Sequence, residues 1–432
     1  MRSLVLVFAF AASGCAGSLP ESATYGPEPQ LVAPNQPLIP DLGVPRAVGW
    51  PDGAAPHAAD GFVVTRFAEA LDHPRWIYLL PNGDVLVAES STEPGPARGL
   101  MGWIKQRIQD RAGALNESAD RITLLRDADG DGVAEDRSVF LQNLNQPFGM
   151  ALVGDSFYVG NTDAVMRFPY HAGDRAIASA GEQVMALPHN PGNNGHWTRA
   201  LLASADGSKL YVGVGSVSNV GDSGMDVEEG RAAIHELDLA SGRSRVFASG
   251  LRNPNGMDWE PATGRLWTAV NERDFLGPDL VPDYMTSVQD GGFYGWPWTY
   301  WGRHPDPRFE DGERPAAFAS RALTPDYALG AHTASLGLVF YDGQSFPAHY
   351  RGGAFIGQHG SWNRAQPSGY KVLFVPFANG APSGQPEDFL TGFLNERGQA
   401  MGRPVGVALD RTGALLVADD AGNMIWRVAP GR

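Results

Sequence analysis

Four stretches of this 432-residue chain combine chemically able side chains with small or turn-forming neighbours. The first is Asn193-Asn194-Gly195-His196-Trp197-Thr198-Arg199-Ala200. An imidazole among small polar residues titrates near neutral pH and suits general-base work. The second is Gly250-Leu251-Arg252-Asn253-Pro254-Asn255-Gly256-Met257, where Arg252 and Asn253 present fixed donors to an oxyanion or carboxylate. The third runs through Asn271, Glu272, Arg273, Asp274, Asp279 and Asp283 and closes at Gly291-Gly292-Phe293-Tyr294-Gly295-Trp296-Pro297. Its acidic side chains and carbonyls make the oxygen-rich setting that hard cations such as calcium select. The fourth is a pair, Gln358-His359-Gly360-Ser361-Trp362-Asn363-Arg364 and Met401-Gly402-Arg403-Pro404-Val405, each carrying an Arg. Structural roles compete with each of these: a His bonded within its loop, or an Arg packed between neighbouring elements.

What must position such loops is a repeat. A Gly-containing turn leading into a mostly apolar strand occurs six times, starting at Asn82, Gly154, Gly207, Gly264, Gly352 and Gly413. Gly207-Ser208-Lys209-Leu210-Tyr211-Val212-Gly213-Val214 is one copy, and several copies follow a partner strand such as Pro404-Val405-Gly406-Val407-Ala408. Residues 61–431 divided among six units give about 62 each, room for four strands and a functional loop. Strands this apolar are buried on both faces, as stacked blades require. The expected fold is all-β, a six-bladed β-propeller from residue 61 to 432, with loops of every blade meeting at one end of the central channel.

The N-terminus carries an address. Met1-Arg2 is a short positive start, and the apolar run Leu4 to Ala12 is too short to span a bilayer. Ala12-Ser13-Gly14 precedes Cys15, the one cysteine of the chain, in the order of a bacterial lipobox. Residues 1–14 are therefore expected to be a lipoprotein signal peptide and Cys15 the lipidation site, with the cell-envelope protein facing the periplasm. Nine prolines between Pro20 and Pro56 suggest a semi-rigid tether over residues 15–60. A net charge of −15 argues against nucleic acid, whose phosphates need a basic face. The lipid anchor is the one expected contact with a membrane.

Taken together, the loops resemble the soluble glucose/sorbosone dehydrogenase family of pyrroloquinoline quinone (PQQ) enzymes, in its sorbosone dehydrogenase-like branch. The resemblance covers about residues 61 to 430 and is most specific at Leu251-Arg252-Asn253-Pro254-Asn255-Gly256 and Gly291-Gly292-Phe293-Tyr294-Gly295-Trp296-Pro297, with Asn145-Gln146-Pro147-Phe148-Gly149 and Gly195-His196 on earlier blades. It implies oxidation of a sugar or related alcohol or aldehyde by hydride transfer to the quinone, with a soluble or membrane electron acceptor downstream. His196 would be the base and Arg252 the group that stabilises charge on the quinone. Gln146, Asn253, Arg403 and Arg364 would hold the cofactor, the two arginines through its carboxylates. Calcium would polarise the quinone from ligands in Glu272, Arg273 and Asp274, and Asp283 with Tyr294 resembles a second calcium site. Two positions depart from the family: Gly195 stands where Asp is common beside the base, and Gln358–Arg364 offers no Lys to the quinone.

A separate acidic run, Asp127-Ala128-Asp129-Gly130-Asp131-Gly132, spaces carboxylates like the start of an EF-hand loop, with Ser138 at position twelve. Peripheral calcium binding and a solvated acidic turn both fit it. Two other functions fit the whole chain: a calcium-dependent lactonase or hydrolase, and a non-catalytic binding propeller.

Overall fold

The computed structural model describes residues 18–36, 43–92, 117–192, 194–309 and 315–431, with the isolated positions 111 and 113. Six antiparallel sheets form the six blades of a β-propeller. Their innermost strands are Pro74–Leu79, Met150–Val153, Leu201–Ala203, Pro254–Trp259, Ser335–Phe340 and Pro404–Leu409. These touch one another in that order, and the last returns to the first. The circle closes with strand Phe62–Ala68, which pairs antiparallel with the C-terminal strand Met424–Pro430 as the outermost strand of blade six.

The repeat explains the packing. Val85–Glu89 and Leu415–Asp419, second strands of their blades, are buried at every position. Inner strands lie close enough that their backbones touch across blades, which only glycine allows. A Cβ on Gly149 would lie 2.2 Å from the Leu201 nitrogen, and one on Gly256 2.4 Å from the Leu338 nitrogen. The Pro-x-Gly pattern of Pro147-Phe148-Gly149, Pro254-Asn255-Gly256 and Pro404-Val405-Gly406 is thus a blade-to-blade contact signature.

Part of the proline-rich stretch expected to be a semi-rigid tether is docked on the propeller. Tyr25–Gly26 adds a fifth strand to blade four, and His57–Ala58 adds one to blade five. Leu31 and Val32 pack on the core, and Trp50 meets Phe393 and Trp426 edge to face. The cause is composition: few large side chains stand among the prolines, and Tyr25 is buried while Leu31, Val32 and Trp50 are partly buried against the propeller. Cys15 and the leader lie outside the described residues; among the described residues no helix is long and apolar enough to cross a membrane.

Candidate active site: a polar ring at one end of the propeller

In each blade the first strand runs away from one end and the second returns to it. The starts of the first strands and the second-to-third connections of all blades therefore gather at that end. Blade one contributes His73 and Arg75, blade two Gln146, blade three His196, blade four Arg252 and Asn253, blade five His332 and Thr333, and blade six Arg403. All but the half-buried His196 are buried.

His196 is held by its neighbour connection. Its Nδ1 lies 2.9 Å from the Ser216 carbonyl oxygen and 3.1 Å from the Ser216 hydroxyl. A carbonyl only accepts, so Nδ1 carries the proton and Nε2 keeps its lone pair. Among the described residues Nε2 has no hydrogen-bond partner. Burial, then the charge of Arg252, holds the imidazole well below its ordinary pKa. Gly195 is fixed by space: a Cβ there would come 1.9 Å from the Val217 carbonyl oxygen. Ser216 thus supplies the orientation that a carboxylate beside the His would otherwise give.

Arg252 ties two connections together. Its Nε donates to the Asn219 carbonyl at 3.1 Å, Nη1 to the Glu272 carbonyl at 2.7 Å and Nη2 to Asn219 Oδ1 at 3.0 Å. Asp274 lies 3.4 Å from Nη2 and accepts from Asn363 at 2.8 Å. Asn253 packs beside His196: a Cβ on Gly215 would meet Asn253 Oδ1 at 2.4 Å and His196 Cβ at 2.5 Å. The Oδ1 of Asn253 is buried and unpartnered. The structure therefore brings His196, Arg252, Asn253 and Asp274 together.

Across the ring Arg403 stands in a second charged corner. Its Nε and Nη2 donate to the carbonyls of His359 and Gly360, both at 3.1 Å. Arg75 ion-pairs with Asp420, which also accepts from His359 Nε2 at 2.8 Å and lies 3.4 Å from His73. Burial, then the charge of Arg403, pushes His359 down to about 3, so it stays neutral. Asp420 thus holds Arg75 and His359 together, and the Arg403 guanidinium is held by two backbone carbonyls. Arg364, expected here, turns away: its Nη2 pairs with Asp279 at 3.1 Å. Gln146, in the left-handed region at φ 46°, donates from Nε2 to the Ser91 carbonyl at 2.8 Å.

The acidic stretch scatters its carboxylates. Asp279 faces Arg364, and Asp283 is taken up by the Glu272 and Ser335 backbone N–H groups and Thr333. The Arg273 side chain cannot ligate a cation; its Nη1 donates to both Asp306 oxygens at 2.8 and 2.6 Å and anchors the loop. Tyr294 lies elsewhere than Asp283. Its hydroxyl donates to Ser287 at 2.6 Å, at the far end of strand Pro282–Ser287, so the two do not form a joint metal site. Glu272 remains, a buried carboxylate that accepts from the Arg273 backbone at 3.0 Å and that burial pushes up to about 7. Among the described residues one group of acids converges, Asp127, Asp129, Asp131 and Glu135, with ligand atoms within 4.8 Å. It joins the third and fourth strands of blade one, at the opposite end from the ring.

A family model described as TrAA12-like matches residues 56–281 and 310–430. The chain belongs to the TrAA12-like family. An uncharacterised protein of Borreliella burgdorferi is 28% identical over 307 residues, 68% of this chain and 79% of its own. A pyrroloquinoline quinone-dependent pyranose dehydrogenase of Coprinopsis cinerea is 23% identical over 376 residues, 74% of this chain but 44% of that protein. The PQQ domain of the Coprinopsis cinerea pyranose dehydrogenase, solved in its holo form, superposes with a TM-score of 0.68 at 21% identity, covering 89% of this chain and 99% of the domain. A calcium structure of the family AA12 enzyme of Trichoderma reesei superposes at 0.69 with 20% identity, over 87% and 97%. At these identities the superpositions establish the fold.

In this TrAA12-like chain the ring also holds residues that the sequence did not single out. Arg75, His73 and Asp420 are the chief ones. The signal for His73 was the repeat itself: His73-Pro74 opens an inner strand as Arg403-Pro404 does. Buried Arg75 Nε and His73 Nδ1 lack partners. Buried polar atoms without partners are uncommon in folded proteins, and these two stand beside Asp420 in the charged corner of the ring.

Proposed function

We propose that this TrAA12-like protein is a PQQ-dependent dehydrogenase that oxidises a pyranose or other aldose sugar. The observation that carries the reading is His196, whose Nδ1 is fixed on Ser216 and whose Nε2 is left as an acceptor beside Arg252 and Asn253. The ring fits a polyanionic cofactor. Arg75 and Arg403 bring two guanidinium groups to one corner, where they can meet the carboxylates of such a cofactor. Calcium, when bound, would take its ligands from the acidic side chains of Glu272 and Asp274 beside Arg252.

PQQ, when bound, supplies the acceptor for the hydride that leaves the substrate's carbinol carbon. His196 Nε2 takes the hydroxyl proton as that hydride departs. Arg252 brings fixed positive charge to the same region without reorganising, because Asn219, Asn271 and Glu272 already hold it. A hydrolase would need acids converging on the axis, and Asp274, Asp279 and Asp283 serve three different partners. A sorbosone-type substrate is the finer form of this proposal. The reading includes an exported chain with a leader over residues 1–14, Cys15 lipidated on the periplasmic side of the envelope, and a catalytic domain from residue 61.

Fluorescence titration of the purified protein with PQQ and calcium tests it, followed by a dye-linked assay on pyranoses. Saturable binding with turnover supports the proposal. Absence of both leaves a propeller that binds something else.

A further inference from the structure

We infer that the ring end of the propeller is held against the membrane surface, its partner being the lipid bilayer. This rests on the lipoprotein reading of Cys15. The N-terminal segment is docked at that end from its first described residues. The Leu19 backbone N–H donates to Asp279 Oδ2 at 3.1 Å, and Asp279 is itself locked to Arg364. Asp279 lies in the second-to-third connection of blade four and Arg364 in that of blade five, both on the ring end. The segment then pairs Tyr25–Gly26 along the outer edge of blade four and returns to the same end, where Asn35 donates to the Leu276 carbonyl at 3.0 Å.

Leu19 is four positions after Cys15. An extended chain of that length reaches at most about 14 Å. A lipid on Cys15 therefore cannot lie far from Asp279, and the opposite end of the propeller cannot be the one that faces the bilayer. The rim agrees. Phe275, four positions before Asp279, is 38% exposed and packs edge to face on Trp362, two positions before Arg364, at 5.6 Å. Met225, on the matching connection of blade three, is 40% exposed. Apolar side chains at a rim beside a lipid anchor suit the interface between water and headgroups.

The test uses full-length protein extracted with its lipid and reconstituted in phosphatidylethanolamine/phosphatidylglycerol vesicles carrying nitroxide-labelled lipid. Because Cys15 is the sole cysteine, Met225→Cys and Val133→Cys each give one labelling site for a fluorophore. Met225 marks the ring end and Val133 the turn at the opposite end. The expected result is quenching several-fold stronger at 225 than at 133. Inserting about twenty Gly/Ser residues after Gly17 keeps the protein on vesicles and removes that contrast, because a flexible chain no longer sets orientation. Equal quenching at the two sites, or stronger quenching at 133, in protein that does bind vesicles overturns the orientation alone. Wild-type protein that binds vesicles no better than Cys15→Ser overturns the lipoprotein reading and the orientation with it.

Discussion

The Nδ1 atom of His196 lies 2.9 Å from the carbonyl oxygen of Ser216, and that contact decides which ring nitrogen can act as a base. With the proton on Nδ1, Nε2 is the acceptor. His196→Ala is expected to lower kcat by about 10²–10⁴ while leaving cofactor affinity within a few-fold. Steady-state kinetics beside a binding titration check it. Because burial holds the imidazole well below its ordinary value, the neutral form persists as pH falls through about 6.5. The acid limb of kcat/KM should therefore lie below that pH, and a limb at or above it contradicts the assigned environment.

Gly195 tests whether the missing carboxylate matters. A side chain there meets the Val217 carbonyl oxygen at 1.9 Å from its first carbon. Gly195→Asp should lower both melting temperature and turnover, where a simple lack of an orienting acid would make the same change activating. Thermal denaturation and kcat measured on one preparation separate the two.

The arginines should divide by role. Arg403→Gln and Arg75→Gln are each expected to weaken PQQ binding about tenfold or more, since each removes a charge from the corner around Asp420. Arg364→Gln should leave PQQ affinity unchanged and destabilise the fold by about 3 kcal/mol, the cost of stranding a buried partner such as Asp279. Loss of PQQ affinity in Arg364→Gln would place that side chain back in the cofactor site.

The His359–Asp420 pair gives a pH prediction for stability. His359 titrates at about 3 in the fold against about 6.5 unfolded. Between those values the unfolded chain binds the proton and the fold does not, so His359 makes stability fall as pH drops from about 6.5. Buried Asp419, pushed up to about 6, works in the opposite direction, so the useful comparison is between variant and parent. The melting temperature of His359→Gln should fall less between pH 7 and pH 5 than that of the wild type.

The propeller was legible because each blade repeats a turn glycine and an apolar strand, and packing between blades demands both. His196, Arg252 and Asn253 were legible for the same reason: they stand at fixed places in that repeat. Side-chain direction was not. Arg364 and Arg403 both lie in ring-end loops, and only the fold shows one meeting Asp279 while the other stays at the corner. Arg75 was hidden inside Pro74-Arg75-Trp76-Ile77-Tyr78, which reads as an ordinary strand. The acids from Glu272 to Asp283 are near in sequence, yet a bent loop sends them to different partners. The docked segment pairs through two-residue strands at Tyr25–Gly26 and His57–Ala58, too short for a periodic pattern to announce.

The central claim is that the ring binds PQQ and uses His196 as its base. Its most direct measurement is dye-linked sugar oxidation by purified wild-type and His196→Ala proteins, each saturated with PQQ and calcium as shown by fluorescence titration. The expected result is similar cofactor saturation in both, with turnover in the wild type and about 10²–10⁴ less in the variant. Equal turnover in the two, or a wild type that neither binds PQQ nor oxidises any pyranose, would contradict it.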